Sequence, residues 1–444
     1  MSITNRGPAP GSQQARRPRP SVPTVADIVR AMTDGEPAVR ITAHDGSAVG
    51  PRDAGIGLHV ASDRGLAYLL TAPGDLGMAR AYVTGDLELK GAHPGDPYEA
   101  LRLLKDNLRL RLPSPTKALA LVRGLGWQRL RPPPPPPEEA MPLWRRAVQG
   151  LRHSRNRDLS AIHHHYDVSN AFYERVLGPS MTYTCAVYRD AYDSLEEAQA
   201  AKYELIAGKL ALKPGMRLLD VGCGWGGMVR HAAREHGVKA LGVTLSREQA
   251  QWAQAAIERE GLTDLAEVRY MDYRDAPTQH FDAVSSIGLT EHIGVRNYGR
   301  YFAALRDRLR PEGRLLNHCI TRADNGMPAK PGAFIERYVF PDGELAAPGR
   351  LVGEVHDAGL EVQHEENLRR HYALTLAAWC RNLVQHWDEC VAEVGVGTAR
   401  VWGLYMAGSR LSFERNAIQL HQTLATRTAH DGSAGYPLRP DWVA

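Results

Sequence analysis

The chain has 444 residues, with 54 Lys and Arg against 50 Asp and Glu, and a hydrophobic content of 43%. These values exclude a single small domain and a largely disordered chain, and they predict two domains with an ample core. The five cysteines show no C-x-x-C spacing. They therefore favour neither a disulfide framework nor a zinc ribbon, which indicates a reducing, cytoplasmic location. No secretory leader and no apolar run of about 18 residues is recognised, so we expect any membrane contact to be peripheral, on the inner face of the cell membrane.

The N-terminal third of the chain contains three kinds of sequence. Residues 1–23 are rich in Pro, Arg, Gly and Gln and are predicted to be a disordered arm. Residues 113–142 include a run of six prolines and are interpreted as a stiff, basic linker. Between them, residues 24–112 predict a small α+β domain. Its expected helices are Thr24–Met32, Leu76–Val83 and Pro97–Arg109, and its expected strands are Val39–Ile41 and Gly57–Val60.

The net charge of +4 is unevenly distributed. From Arg102 to Arg157 there are 13 Lys and Arg against 3 Asp and Glu, which favours an anionic neighbour such as lipid headgroups. Within this stretch, Lys117–Leu130 alternates apolar residues and a Trp with Arg123 and Arg129. Two interpretations stay open: a membrane-interface helix, or a helix packed on its own protein with solvated arginines. Nucleic acid is disfavoured because no base-stacking motif accompanies the charge.

Residues 143–430 predict a second domain, followed by a C-terminal tail at 431–444. Its strands and helices alternate, which is typical of a doubly wound, mostly parallel α/β sheet. The expected strands are Arg217–Gly222, Ala240–Val243, Ala266–Met271, Phe281–Ile287 and Arg314–Ile320. The expected helices are Met228–Glu235, Arg247–Glu260, Asn297–Arg308 and Arg350–Ala358. Segments 322–347 and 368–430 are expected to lie outside the sheet and to supply a lid that carries Tyr372, Trp379, Tyr405 and Phe413.

Ligands of such sheets bind at the carboxyl ends of the strands. This rule selects Gly222–Gly224, Thr244, Asp272, Glu291 and His318–Ile320. The first of these follows a buried strand that ends in Asp220, within R-L-L-D-V-G-C-G-W-G-G at residues 217–227. Glycines let the backbone take positive φ and let a ligand approach closely. The dinucleotide fingerprint G-x-G-x-x-G also fits, but the acid before the glycines and the C-G-W after them resemble motif I of class I S-adenosylmethionine (SAM) methyltransferases.

Seven stretches, in order along residues 143–430, resemble the cyclopropane-fatty-acyl-phospholipid synthases and mycolic acid cyclopropane synthases. They are H-Y-D-V-S-N to T-Y-T-C-A (165–186), L-L-D-V-G-C-G-W-G-G (218–227), G-V-T-L-S-R-E-Q (242–249), D-Y-R-D (272–275), S-I-G-L-T-E-H-I-G (286–294), H-C-I (318–320) and F-I-E-R-Y-V-F-P-D-G-E-L (334–345). The resemblance implies a class I SAM methyltransferase fold, with a seven-stranded sheet and the small N-terminal domain of the phospholipid-acting members.

The resemblance also implies roles for individual residues. The residues implied to hold SAM are Tyr183, Thr184, Asp220, Gly222, Gly224, Thr244, Leu245, Gln249, Asp272 and Tyr273. The residues implied to bind a catalytic bicarbonate ion are Cys185, Glu291, His318, Ile320 through its backbone, and Tyr372. Tyr166 is implied to line the acyl channel. No metal is expected, because the adjacent histidines His163–His165 cannot all face one ion.

Each proposed catalytic residue also has a purely structural interpretation. Glu291 could cap the helix that follows its strand, His318 could be a satisfied core histidine, and Tyr372 could be ordinary packing. The thiol of Cys185 is interpreted as a small buried group rather than as a nucleophile. The position of a family cysteine once proposed as the nucleophile holds Ser409, which argues against covalent catalysis there.

Two further departures from the family pattern lie near the site. Thr290 replaces an aromatic residue in G-L-T-E-H, and Asn317 stands where an apolar residue is usual. These two motifs resemble those of an actinobacterial branch of the family that is linked to methylene- and 10-methyl-branched fatty acids. Reduction of a methylene product would need a separate flavin or NADPH reductase, because no second dinucleotide motif is recognised.

These observations predict a SAM-dependent enzyme that adds one carbon to the cis double bond of a phospholipid-bound acyl chain. The product is a methylene, 10-methyl or cyclopropane lipid, and we expect a homodimer that visits anionic membranes. Two other functions stay open: a small-molecule N- or C-methyltransferase of the same fold, and a non-catalytic lipid-binding protein.

Overall fold

The structure is a computed structural model that describes residues 22–33, 36–108, 114–125, 127–139, 168–278, 280–328 and 330–443. Tyr166 and the triplet His163–His165 lie outside these residues, as do the predicted arm and the start of the predicted second domain. None of the helices in the described ranges carries an apolar stretch long enough to cross a bilayer.

The N-terminal part of the chain forms a four-stranded sheet in the order β2-β1-β3-β4. Its strands are β1 (Arg40–Ala43), β2 (Ala48–Val49), β3 (Gly57–Val60) and β4 (Leu87–Lys90). Its helices are α1 (Val25–Met32), α2 (Asp63–Thr71), α3 (Asp75–Val83), α4 (Tyr98–Asn107) and α5 (Pro115–Leu125), followed by a 3-10 turn at Trp127–Leu130. The helix α1 begins at a capping box, in which the Thr24 hydroxyl accepts from Asp27 N and the Asp27 carboxylate accepts from Thr24 N.

The second part of the chain is organised on a seven-stranded sheet in the order β10-β11-β9-β8-β5-β6-β7. Its strands are β5 (Arg217–Val221), β6 (Lys239–Thr244), β7 (Ala266–Tyr270), β8 (Phe281–Ile287), β9 (Leu309–Arg322), β10 (Glu361–Asn367) and β11 (Ile418–Thr426). Five neighbouring strands are parallel, and β11 is antiparallel to both β9 and β10. The crevice at the carboxyl ends of β5 and β8 is the topological switch point, where doubly wound sheets bind ligands.

Helices cover both faces of this sheet. They are α6 (Asn170–Leu177), α7 (Leu195–Leu210), α8 (Gly227–His236), α9 (Arg247–Arg259), α10 (Thr290–Ile293), α11 (Tyr298–Arg308), α12 (Ala333–Tyr338), α13 (Pro348–Asp357), α14 (Arg369–Gln385) and α15 (Trp387–Glu414), the last of them broken by Gly395 at φ 80°. One apolar core lies between the sheet and α7, α8 and α9, and a second lies between the sheet and α11 and α13. A third core joins α6, α14 and α15 to α3 of the N-terminal part.

The prediction that residues 368–430 lie outside the sheet is wrong for one segment. Strand β11 pairs with β9 over nine residues, from Ile418 with Arg322 to Thr426 with Arg314. It follows two long helices rather than a strand–helix repeat, so the alternation that marks the other strands does not extend to it. The two helices before it do contribute the predicted aromatic residues, which pack in the third core.

A buried ion-pair cluster ties the proline-rich segment to both parts of the chain. The Glu139 carboxylate, 2% exposed, accepts from Arg80 Nε and Nη2 at 2.6 and 2.7 Å. Arg337 Nη1 lies 3.2 Å from the same carboxylate. Arg80 belongs to α3 and Arg337 to α12, so one carboxylate neutralises a guanidinium from each side. Removing one member of such a cluster leaves buried charge without a partner.

We therefore predict that Glu139→Gln destabilises the protein by about 3 kcal/mol, because two partly buried guanidinium groups lose their counter-charge. Urea denaturation of the whole chain measures the change. The matched control is Glu267→Gln, since Glu267 holds Arg269 with the same two-bond geometry at 2.6 and 2.7 Å but is half exposed. The control should change stability by less than about 0.5 kcal/mol. Equal losses for both variants would contradict the role assigned to Glu139.

Candidate active site

The glycine turn after β5 forms the floor of the candidate site. Gly222 and Gly224 have φ of 72° and 54°, the left-handed region that favours glycine. The amide groups of Gly222 and Cys223 both donate to Val243 O, at 2.9 and 3.1 Å, which fixes the turn on strand β6. A Cβ at Gly222 would lie 3.0 Å from Leu289, so a larger residue would be strained by its φ and crowded as well. The turn therefore leaves its backbone accessible at the switch point.

A small polar cavity lies over this turn. Six of the ten predicted SAM-binding residues line it: Tyr183, Thr184, Asp220, Gly222, Gly224 and Gln249. The other four, Thr244, Leu245, Asp272 and Tyr273, follow the neighbouring strands β6 and β7 but are not among the residues lining the cavity. Thr244 nevertheless supports it, because its hydroxyl donates to Gln249 Oε1 at 2.9 Å. The carboxylate of Asp272 is held by Arg274 Nη2 at 2.6 Å, beside the next strand end.

Two buried ionisable groups face each other across the cavity wall. Asp220 accepts the Ser285 hydroxyl at 2.7 Å, and burial raises the pKa of its carboxyl to about 7. Burial lowers the pKa of Lys202 to about 7, and its Nζ donates to Thr184 Oγ1 at 3.0 Å. In each group, burial disfavours the charged form. The ammonium also lies 3.9 Å from the centroid of the Tyr203 ring.

Sequence reasoning missed Lys202. One signal could have revealed it: Ala198, Lys202, Ile206 and Lys209 recur at helical spacing along one face of α7, and all four are buried. A lysine at a core-facing helix position is uncommon without a partner. Lys209 finds its partner in Gln422 Oε1 at 2.6 Å, away from the cavity, whereas Lys202 finds it in Thr184.

A second, larger and mostly apolar cavity of about 600 Å³ adjoins the first. Tyr183, Thr184 and Gly288 line both cavities, so they form the boundary between them. A Cβ at Gly288 would lie 2.9 Å from Thr184 Cγ2, which means that a larger residue would crowd this boundary. The N-terminal part supplies one wall through Leu58, Met78, Leu87, Leu89, Leu101 and Leu104. Ser409 lies in the opposite wall.

Three of the predicted catalytic residues line the large cavity: Glu291, Ile320 and Tyr372. Glu291 Oε1 accepts from Ile320 N at 2.6 Å, while Glu291 Oε2 is buried and has no hydrogen-bond partner in the described part of the chain. Burial raises the pKa of Glu291 to about 7, although the Ile320 amide opposes this effect. The ring of Tyr372 packs against Phe413, with centroids 4.6 Å apart. The site thus combines an apolar channel with a carboxyl group that can exchange a proton near neutral pH.

His318 is placed differently. It is fully buried on the same face of β9 as Ile320, but it is not among the residues lining either cavity. Its Nδ1 lies 3.1 Å from Gln422 Nε2, and its Nε2 has no partner among the described residues. Burial, together with the charges of Lys202 and Lys209, holds the pKa of His318 well below its usual range. The imidazole is therefore neutral, and it lines neither of the two cavities.

Cys185 is buried in the third core. Its thiol donates to Ala186 O at 3.2 Å, and burial raises the pKa of this thiol far above its usual value. The nucleophilic thiolate is thus suppressed. This placement agrees with the interpretation of Cys185 as a small packing residue.

The sheet order, the antiparallel strand β11 and the glycine turn with its buried acid define a class I SAM-dependent methyltransferase, and solved structures share this fold. A cyclopropane synthase of Mycobacterium tuberculosis is 32% identical, with a TM-score of 0.57, and covers 60% of this chain and 98% of its own. A mycolic acid cyclopropane synthase in complex with SAH and CTAB is 30% identical with a TM-score of 0.57, over 60% of this chain and 97% of its own. The predicted fold class is confirmed.

The chain belongs to the mycolic acid cyclopropane synthetase family, whose profile matches residues 153–423. A probable fatty acid methyltransferase of Mycobacterium tuberculosis is 59% identical over 420 residues, which cover 94% of this chain and 98% of the relative. The cyclopropane-fatty-acyl-phospholipid synthase of Escherichia coli K12 is 37% identical over 60% of this chain and 68% of its own. The protein is thus a SAM-dependent methyltransferase, as the sequence predicted.

We predict that Lys202→Met weakens binding of S-adenosylhomocysteine about tenfold, because Thr184 loses the hydrogen bond that holds it over the glycine turn. Isothermal titration calorimetry measures this affinity. Lys209→Met is the matched control: it removes a second buried lysine from the same helix, whose partners Glu366 and Gln422 do not line the cofactor cavity. The control should lose stability but keep its affinity. Unchanged affinity in Lys202→Met would remove Lys202 from the cofactor site.

Proposed function

We propose that this enzyme transfers a one-carbon unit from SAM to the cis double bond of an unsaturated acyl chain bound in a phospholipid. One observation carries the proposal: the apolar cavity and the glycine-turn cavity are neighbours that share Tyr183, Thr184 and Gly288 in their walls, and Glu291 lies in the wall of the apolar cavity. An apolar chain in the larger cavity would present its double bond to a methyl donor in the smaller one. The names of the two relatives above support a fatty acyl substrate.

The cofactor fits the residues present. Gly222, Gly224, Asp220 and Gln249 line the small cavity, where the glycines would leave room for the methionine part and Gln249 would hold the adenosine. When bound, SAM supplies an electrophilic methyl group. The chain itself holds the alkene in line and excludes water, which supplies much of the acceleration. Aromatic faces of Tyr183, Tyr372 and Tyr405 line the cavity and would stabilise the carbocation formed in the acyl chain.

A proton must then leave carbon, and the free oxygen of Glu291 is the group placed to direct it. We propose that a bicarbonate ion takes the proton while its hydroxyl donates to Glu291 Oε2. This arrangement leaves the Ile320 amide on Oε1 and explains why a carboxylate is tolerated next to an anion. The ordinary interpretation of Glu291 as a helix cap does not account for the whole arrangement, because its carboxylate accepts from the Ile320 amide of strand β9 as well as interacting with its own backbone.

The product follows from how the carbocation loses its proton. Loss from the new methyl group closes a cyclopropane ring, whereas a hydride shift before proton loss gives a methylene lipid. Thr290 and Asn317 favour the second outcome by their resemblance to the methylene and 10-methyl branch, and a separate reductase would then complete the methyl group.

Two other functions are weighed against the cavity. A small-molecule N- or C-methyltransferase needs no long apolar channel and would act without lipid vesicles. A non-catalytic lipid-binding protein would not bind the cofactor, whereas the glycine turn and Glu291 retain the features of a catalyst. The continuous apolar wall supplied by α3, α4 and the N-terminal sheet favours a long acyl chain over both alternatives.

The function is tested with methyl-labelled SAM and vesicles of a monounsaturated phospholipid, followed by mass spectrometry of the released fatty acids. A mass increase of one methylene unit is expected in the wild type, and a further two hydrogens when a flavin or NADPH reductase is added. Depletion of bicarbonate should slow the wild type, and an unaffected rate would exclude that ion as the base. Label appearing only in water-soluble amines would establish the small-molecule alternative instead.

Glu291→Gln should lower turnover at least about a hundredfold while the affinity for S-adenosylhomocysteine stays nearly constant. The pKa of Glu291 is raised, so its carboxylate accumulates only as the pH rises through about 7. Activity in the wild type should therefore increase with pH across this range, and the Gln variant should lose that limb. A pH–rate profile of both proteins at a fixed bicarbonate concentration measures it, and any limb that survives belongs to another buried group, such as Asp220 or Lys202, whose pKa values also lie at about 7.

We further propose that α5 brings the enzyme to anionic membranes. The inner side of α5 packs against the protein, since Leu125 is buried in the N-terminal core. Its outer side exposes Leu119, 50% accessible, and Arg123 one turn later. Arg129, in contrast, is paired with Asp63 at 3.0 Å. The helix thus packs on its own protein with one side, and the other side carries the exposed residues on which the membrane proposal rests.

Arg123→Ala should weaken binding to anionic vesicles about fivefold at low salt, and the difference should shrink as salt rises. Arg129→Ala is the matched control, because its guanidinium is already occupied by Asp63, and it should bind almost as the wild type does. Vesicle sedimentation measures both. Equal effects of the two substitutions would assign the attraction to net charge rather than to the outer side of α5.

A further inference from the structure

The two residues that depart from the family pattern are in contact with each other. The Thr290 hydroxyl donates to Asn317 Oδ1 at 2.5 Å, and the Asn317 amide lies 3.3 Å from Cys319 Sγ. Thr290 is fully buried and Asn317 is 1% exposed. A buried polar pair of this kind is stable only when its members satisfy each other, because an unpaired amide oxygen out of water is costly.

This pair lies on the opposite side of strand β9 from the cavity. Asn317 and Cys319 point to one face of the strand, whereas His318 and Ile320 point to the other. Next to Asn317 in the sheet is Ser286 of β8, whose hydroxyl lies 2.6 Å from the Tyr301 hydroxyl of α11. The pair therefore belongs to the interior beneath α11 and does not touch the acyl chain.

The helix that carries Glu291 is too short to be stable without contacts to the rest of the protein. Helix α10 has four residues, Thr290–Ile293, a single turn that has no side-chain cap at its start. Two hydrogen bonds anchor it to β9 from consecutive residues: Thr290 to Asn317 on the inner side, and Glu291 Oε1 from Ile320 N at the cavity. The first bond, together with the Glu344 amide that donates to Glu291 O at 2.9 Å, fixes the backbone from which the second is made.

We propose that Thr290 and Asn317 are positioning residues that fix α10 on β9, so that Glu291 keeps the Ile320 amide on one oxygen and presents the other to the substrate. This inference rests on the proposed function of Glu291 as the group that directs proton loss. It assigns to the pair a control of turnover and of the product ratio, without a contribution to cofactor affinity.

The first arm of the test does not depend on the substrate. Hydrogen–deuterium exchange followed by mass spectrometry reports protection of the peptides that contain Glu291 and Ile320. Thr290→Val keeps the side-chain shape but removes the donor, so exchange at both peptides should rise at least about tenfold, while Thr290→Ser should restore protection. Unchanged exchange in the Val variant would overturn the inference, whatever the enzyme acts on.

The second arm measures turnover on phospholipid vesicles. Thr290→Val and Asn317→Leu should each lower kcat about tenfold, with KM for SAM unchanged. The double variant removes both polar partners at once and should lose less than the product of the two single effects. The activity limb near pH 7 should move to lower pH in the single variants, since a displaced Glu291 is better solvated. Strictly multiplicative losses of kcat would show that the two residues act independently rather than as a pair, and an unchanged kcat with an unmoved limb would show that they act only on stability. Either result would overturn the inference.

Thr321→Val is the matched control for the second arm. Thr321 lies on the same strand and is fully buried, but its hydroxyl lies 2.8 Å from His421 Nδ1 of β11 rather than bonding to α10. This variant should lose thermal stability and keep kcat and the pH limb. If the wild type methylates no phospholipid while the exchange arm gives the expected result, the proposed function fails and the positioning role of the pair stands.

Discussion

The site depends on one carboxyl group held out of water by a backbone amide. Glu291 lies in an apolar wall, where burial disfavours the charged carboxylate and raises its pKa. The hydrogen bond from the Ile320 amide stabilises the charged form and offsets part of this rise. The balance of the two places its pKa at about 7 rather than near that of an exposed glutamate. A carboxyl group so poised can accept and release a proton under ordinary conditions, provided that the cavity stays dry. Every larger feature of the fold can be understood as a means of keeping it dry.

The N-terminal part of the chain helps to keep water away from Glu291. Its apolar residues form one wall of the large cavity, so the catalytic domain alone would leave Glu291 open to solvent on that side. Because Glu139 neutralises arginines from both α3 and α12, the wall is fixed by charge as well as by packing. The proline-rich segment is thus more than a spacer. It carries the Glu139 carboxylate, which joins α3 of the N-terminal part to α12 in the folded chain.

The sequence predicts the features of this structure that depend on residues close together in the chain. It does not predict the features that depend on contacts between distant residues. The glycine turn and the parallel strands follow from residue patterns a few positions long, and the carboxyl ends of those strands mark Gly222 and Glu291. Strand β11 was missed because its partner β9 lies about a hundred residues earlier, and no local pattern announces such a pairing. Lys202 was missed because its importance comes from burial against Thr184, which only the packed helix reveals. The placement of His318 behind the wall likewise depends on what covers the strand.

The Thr290–Asn317 pair shows how resemblance and geometry complement each other. Read along the sequence, the two residues are separate substitutions, 27 positions apart, each of which weakens the match to the family. In the structure the two residues act as one unit, because a buried hydroxyl donor and a buried amide acceptor are tolerated in a core only when they bond to each other. Replacing an aromatic and an apolar residue by this pair exchanges non-directional packing for a directed bond behind the Glu291 carboxylate. A directed bond fixes orientation more narrowly than packing does, and under the proposed mechanism the orientation of Glu291, and of the bicarbonate that it would hold, decides between ring closure and methylene formation.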